Sequence, residues 1–165
     1  MESERVPWND FPQVIRNGDL GALQREPEYQ AAKSGDHKAA LNLVDRLTTD
    51  ETINQIKALI SGSKPTLLPV LAAEQAGNNK IPLAMAEVLS DRLDLDIELG
   101  IVQREKVYRT SADYRLVFNP TFEGKVHPGR SYLILDDTLT MGGTLASLRG
   151  YVRNRGGTGH LAKLY

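Results

Sequence analysis

Apolar residues recur at helical spacing in two early segments of the chain. Ala40, Leu43, Val44 and Leu47 form one stripe, and Asp36 stands where a side chain would cap the helix start. Ile53, Ile56, Leu59 and Ile60 form the next, with Thr49 or Asp50 as the cap and Gly62 as the terminator. The pattern changes at Pro65. Thr66 to Val70 is a short apolar run that predicts a buried strand, and Pro69 within it predicts an early stop because proline has no amide for a ladder. After a loop from Ala72 to Asn78, a helix is predicted from about Lys80 to Leu93, with Asn79 as cap and Pro82 in the first turn. A second strand is expected over about Asp96 to Gln103.

The next stretch is polar. Arg104, Lys106, Arg109 and Arg115 alternate with Glu105 and Asp113, which suits either a loop or a ribbon paired only at its base. Phe118 to Gly129 contains two prolines and two glycines and is expected to be a connector. Tyr132 to Leu135 predicts a third strand, about Thr144 to Asn154 a helix closed by Gly156-Gly157, and His160 to Tyr165 a fourth strand. Residues 1 to 30 are polar and broken by Pro7, Pro12 and Pro27. They are expected to be a loose arm or short helical turns, with Trp8 as a packing anchor. The expected fold class is α/β, a parallel sheet flanked by helices, preceded by an N-terminal helical section. The expected division places that section at 1–64 and the α/β core at 65–165.

The 165 residues suit one domain, and the chain has no cysteine, so disulfides, thiolate metal sites and cysteine nucleophiles are excluded. A net charge of −1 gives no overall field that would attract nucleic acid, so no nucleic-acid partner is expected. The apolar runs are too short and too interrupted by charge for a membrane helix, and the start of the chain lacks the layout of a signal peptide. A cytoplasmic location is expected. His37, His127 and His160 are scattered and form no zinc pattern.

Chemistry concentrates in the stretch from Ser131 to Leu145. Four apolar residues end in Asp136-Asp137, which places two carboxylates at a strand tip, where ligands bind in open parallel sheets. A few residues later the chain enters a helix through Met141-Gly142-Gly143-Thr144. Glycine lets the backbone approach a ligand closely, and a helix N-terminus presents amides to an anion. Thr140 and Thr144 add hydroxyls. An acidic half and an anion-binding half therefore lie one short loop apart, an arrangement suited to a sugar phosphate. No Gly-Lys-Ser/Thr follows, so this is not a Walker loop.

This segment resembles the phosphoribosyl pyrophosphate signature of type I phosphoribosyltransferases. The resemblance implies that Asp136 and Asp137 bind the ribose hydroxyls and that Thr140, Met141, Gly142, Gly143 and Thr144 hold the 5′-phosphate. Met141 stands where the family usually has threonine, so a hydroxyl donor is lost there while the backbone amide is kept. The resemblance also implies a pyrophosphate loop at Ala73, Glu74, Gln75, Ala76 and Gly77, in which Glu74 is unexpected beside an anion. A closing loop is implied at 104–115, with Arg104 and Lys106, then Arg109, facing the leaving pyrophosphate.

By the same resemblance the reaction is transfer of 5-phosphoribosyl to a nitrogen nucleophile, a nucleobase-like acceptor, with release of pyrophosphate. Magnesium is held by the substrate rather than directly by protein, with Asp136 and Asp137 in its outer shell. The section before Pro65 is the candidate base-selecting hood, and a homodimer is implied. A non-catalytic domain of the same fold, binding phosphoribosyl pyrophosphate or a nucleotide as a regulatory ligand, is the alternative. The family core has five parallel strands and the sequence shows about four. Either the ribbon counts, the chain is shortened, or another element completes the sheet.

Overall fold

The structure, a computed structural model, describes residues 14–17, 22–71, 79–109, 116–137 and 143–164. Among these, strand β1 (Val14–Asn17) comes first, followed by a single 3-10 turn and a short helix α1 (Tyr29–Lys33). Helix α2 (His37–Leu47) starts where Asp36 accepts a hydrogen bond from the amide of Ala39, as its spacing predicts. Helix α3 (Asp50–Ile60) is capped by Thr49, whose hydroxyl accepts from the amide of Thr52, and it ends in left-handed Ser61 and Gly62. Strand β2 (Thr66–Pro69) stops at its proline, and helix α4 (Ile81–Leu93) carries Pro82 in its first turn.

The remaining elements are β3 (Val102–Arg109), β4 (Leu116–Glu123), β5 (Ser131–Asp136), α5 (Gly143–Asn154) and β6 (Thr158–Leu164). Four strands form a wholly parallel sheet in the order β1-β6-β5-β2. Parallel neighbours require crossovers, and α4 and α5 lie in them. Ile97 extends this sheet by one bridge beside Leu67, with the amide of Leu67 donating to the carbonyl of Asp96 and the amide of Glu98 to that of Leu67. The α/β class expected from the sequence is therefore the one observed.

Three local expectations are corrected. The second strand does not run from Asp96 to Gln103. Its first part makes the single bridge at Ile97, and the chain then turns away into β3. The ribbon does not pair only at its base, because β3 and β4 stay in antiparallel register from Val102↔Glu123 to Arg109↔Leu116. Phe118 to Glu123 is consequently strand rather than connector. Pro120 is tolerated because the hairpin is a two-stranded sheet of its own, in which β4 pairs with β3 alone among the described strands.

Alternate residues of the sheet fill two cores. Leu67, Leu133, Leu135 and Ile15 pack with α2, α3 and α4, while Leu68, Tyr132 and Ile134 pack with α5, Ile101 and Phe122. Tyr132 through Leu135 are fully buried, which accounts for the unbroken apolar run of β5: a central strand covered on both faces has no polar side.

The sheet is completed at its β6 edge by β1, from the polar N-terminal region. Asn17 secures that strand. It is fully buried, donates to the carbonyl of Leu47 at 2.9 Å, and accepts from the amide of Thr49 and the hydroxyls of Thr49 and Thr52. The β1–β6 pairing and the first core both cross the boundary drawn at 64–65. Trp8 lies outside the described residues.

Candidate functional site at the β5 tip

Strand β5 delivers Asp136 and Asp137 to the carboxyl edge of the parallel sheet. Its neighbour β2 ends at the same level, since Pro69 is in register with Leu135 and the amide of Val70 donates to the carbonyl of Leu135 at 2.9 Å. The chain leaves β2 there, and it returns at Asn79, whose side-chain amide donates to Asp137 Oδ2 at 2.9 Å. Val70 and Asn79 thus both lie beside the carboxyl end of β5. The segment 138–142 begins at Asp137 itself and ends at Gly143, the first residue of α5. The hairpin is rooted at the same edge, where the amide of Gln103 donates to the carbonyl of Leu71 at 2.7 Å.

The two acids are not equivalent. Asp136 keeps part of its surface open, whereas Asp137 is only 3% exposed. Asp137 Oδ2 meets Lys33 Nζ at 3.2 Å as well as Asn79, and the amide of Asp137 donates to Asp136 Oδ1 at 2.8 Å. Burial, reinforced by the neighbouring charge of Asp137, pushes the Asp136 carboxyl well above the usual carboxylate range. Burial also opposes ionisation of Asp137, but hydrogen bonding from Asp136, the Lys33 ammonium and the Asn79 amide together outweigh it and hold Asp137 below that range. The two carboxyls therefore titrate as a pair, with ionisation favoured at Asp137.

Lys33 and Asn79 were not among the candidate site residues. Asn79 was legible only as a helix cap. Its Oδ1 does accept from the amide of Ile81 at 3.1 Å, so one side chain serves the helix start and the acid pair together. Lys33 gave no signal, because its partner lies more than a hundred positions away and nothing in the local pattern marks it.

Of the expected site residues, Asp136 and Asp137 stand side by side at the tip, and Gly143 and Thr144 open α5. Arg104 lies on β3, exposed, with its guanidinium paired to Glu123 of β4. Lys106 and Arg109 lie further along the same strand. Ala73, Glu74, Gln75, Ala76 and Gly77 fall outside the described residues, as do Thr140, Met141 and Gly142. His37 pairs with Glu87 at 2.7 Å, and the amide of His127 donates to the hydroxyl of Tyr132.

Among the described residues, no group of three or more histidine, cysteine or acidic side chains could hold a metal ion. No described helix is long and apolar enough to cross a membrane.

No family model matches the chain. It is 66% identical over 157 residues to Protein TraN of Escherichia coli, covering 94% of this chain and 35% of that protein. It is 44% identical over 151 residues to an uncharacterized protein of Haemophilus influenzae, covering 90% of this chain and 34% of that one. The chain thus spans about a third of the length of the curated relatives it matches. Among solved structures, it is similar to an adenine phosphoribosyltransferase from Thermoanaerobacter pseudethanolicus at 18% identity and a TM-score of 0.44, over 78% of this chain and 69% of the other. That superposition is loose, and the acid pair and strand order stand on this chain's own geometry.

Proposed function

We propose that this chain binds phosphoribosyl pyrophosphate at the carboxyl edge of its sheet and transfers the 5-phosphoribosyl group to a nitrogen nucleophile of the nucleobase type. The observation that supports this most directly is the Asp136–Asp137 pair at the tip of the central strand, with Asn79 at the entrance to α4 donating to it. Carboxyl oxygens there suit the vicinal hydroxyls of a ribose. The start of α5, six residues after Asp137, suits a phosphate, because the first amides of a helix have no partners within it.

In the transfer, the bond from the anomeric carbon to the pyrophosphate oxygen breaks and a bond from that carbon to nitrogen forms. The electron pair leaves with pyrophosphate, and the proton displaced from nitrogen passes to solvent or to the leaving group. Positive charge grows on the sugar, so catalysis needs positioning and electrostatics rather than a protein nucleophile. Asp136 and Asp137 orient the ribose. Asp136 and Asp137 would stand in the outer shell of a magnesium ion carried by the substrate, which would supply neutralisation of the pyrophosphate charge. Arg104 and Lys106, on the hairpin rooted at the same edge, are the candidates to cover the leaving group and exclude water.

A regulatory domain that binds the same ligand without turnover is the second reading. Two features favour it: Asp137 is turned inward onto Lys33 and Asn79, which leaves Asp136 as the more open carboxyl, and the sequence has Met141 where the family it resembles usually has threonine.

Incubation with magnesium, phosphoribosyl pyrophosphate and a panel of bases, with release of pyrophosphate measured, separates these. Release that disappears in Asp136→Asn plus Asp137→Asn supports the transferase. Magnesium-dependent binding without turnover supports the regulatory domain. Absence of binding removes both. Gly143→Asp places a negative charge at the helix entrance and is expected to weaken binding by about tenfold or more without unfolding the protein. Unchanged affinity in that variant means the phosphate does not sit at α5.

A further inference from the structure

The N-terminal section reaches the acid pair through one side chain. Helix α1 is short, yet it is fixed from several sides. Ala32 is fully buried, its carbonyl accepts from the amide of Lys80 at 3.0 Å, and the amide of Asp36 closes the turn onto the carbonyl of Ala31 at 2.9 Å. Lys33 follows Ala32 directly. Its ammonium lies 5.8 Å from the centre of the Tyr29 ring, within cation–π range, and 3.2 Å from Asp137 Oδ2. The cation is thus held by an anchored backbone and an aromatic face, rather than swinging from the surface.

We propose that Lys33 is a positioning residue of the sugar site: from α1 it fixes Asp137, so that the N-terminal helix and the tip of β5 act as one ligand-binding unit. This rests on the assignment of that tip to a phosphoribosyl ligand. An exposed ion pair contributes little, but here one partner is buried, with 5% of the Asp137 side chain exposed against 34% of the Lys33 side chain. Without Lys33, Asp137 keeps, among the described residues, only Asn79 as a side-chain donor from outside the pair, and two carboxyl groups face each other with less to keep one ionised. Either Asp137 takes up a proton or it rotates away, and both disturb the carboxyl that neighbours the open Asp136.

The charged groups described around Asp137 are Asp136 on β5 and Lys33 on α1, with Asn79 as the neutral donor at the entrance to α4. Lys163 of β6 is the register partner of Asp136.

The test titrates phosphoribosyl pyrophosphate with magnesium into wild type, Lys33→Met and Lys33→Arg by calorimetry across about pH 5 to 8. Melting curves of the three proteins verify the fold. Lys33→Met is expected to bind about tenfold or more weakly at neutral pH. It should also lose binding at a higher pH on acidification than wild type, because Asp137 without its cation protonates more readily. Lys33→Arg, which keeps the charge, should restore both affinity and pH profile. Wild-type affinity and profile in Lys33→Met overturn the inference. So does a uniform loss at every pH that arginine does not rescue, since that is the mark of a purely structural side chain.

If wild type binds no phosphoribosyl ligand, the functional proposal fails. The lysine is then judged on the ligand-free protein by ¹³C titration of the aspartate carboxyls. A higher Asp137 midpoint in Lys33→Met supports the fixing role, and an unmoved midpoint overturns it.

Discussion

Asn17→Ala tests how the sheet is closed. The side chain of Asn17 is fully buried, and its amide nitrogen donates to Leu47 while its oxygen receives the Thr49 amide and two threonine hydroxyls. Truncation leaves four groups to find partners. The Thr49 and Thr52 hydroxyls already lie 3.0 Å apart and can satisfy each other. The carbonyl of Leu47 and the amide of Thr49 cannot. A stranded buried backbone group costs roughly 1–3 kcal/mol, and because Thr49 lies near solvent the lower half of that range applies to its amide.

The expected loss is therefore about 2–5 kcal/mol, a large share of a typical domain's roughly 5–15 kcal/mol. Urea unfolding followed by circular dichroism measures the loss, and hydrogen exchange at Ile15 and Arg16 shows whether β1 detaches first. Asn17→Asp is the control. It keeps the acceptor but removes the donor to Leu47 and buries a carboxylate, so at neutral pH it should be no more stable than the alanine variant. A stability change below about 0.5 kcal/mol in Asn17→Ala, with normal protection of β1, refutes the idea that this side chain secures the strand.

Asp136→Asn should stabilise the fold while abolishing ligand binding. The Asp136 carboxyl is raised above its ordinary value of 3.8, so its ionisation opposes folding. The variant's advantage should be absent below that value, grow as pH rises through the folded-state value, and level off above it. Melting temperatures across pH measure this, and a destabilised variant at neutral pH contradicts it. Gly124→Ala should cost on the order of 3 kcal/mol in urea unfolding, because a methyl there would overlap the Gly100 carbonyl at a φ of +125°. An unchanged midpoint means the two glycines are not packed together. Tyr151→Phe removes a 2.6 Å hydrogen bond to the carbonyl of Gly124 and should cost about 1 kcal/mol, less than the glycine variant. An equal loss in the two variants would mean that the hydroxyl does much of the work of holding the turn.

The helices and buried strands were legible because their signals are local. Asp36 and Thr49 cap the helices they precede, and the apolar run of β5 is what burial on two faces demands. The acid pair was legible for the same reason, as its meaning follows from the end of a strand. Elements that depend on remote partners were not. Val14–Asn17 carries too few apolar residues to announce a strand, and its support comes from β6 and from the α2–α3 turn. The β3–β4 ribbon alternates charge along one strand and contains proline in the other, which conceals a ladder that runs the length of both strands. Lys33 becomes part of the site only when α1 docks beside Asp137, a contact that no spacing rule encodes.

The pairing of Val14 with Leu161 also dictates an order of events during synthesis. Among the described strands, β1 comes earliest in the sequence and is the last to find its place, because β6, its neighbour in the described sheet, is translated after the others. Until residues 158–164 have emerged, the helices above can gather on β2 and β5, but Val14–Asn17 must stay unclaimed. A chaperone or a protease meeting the nascent protein would find that segment waiting, and slowing translation just before Thr158 should lengthen the wait.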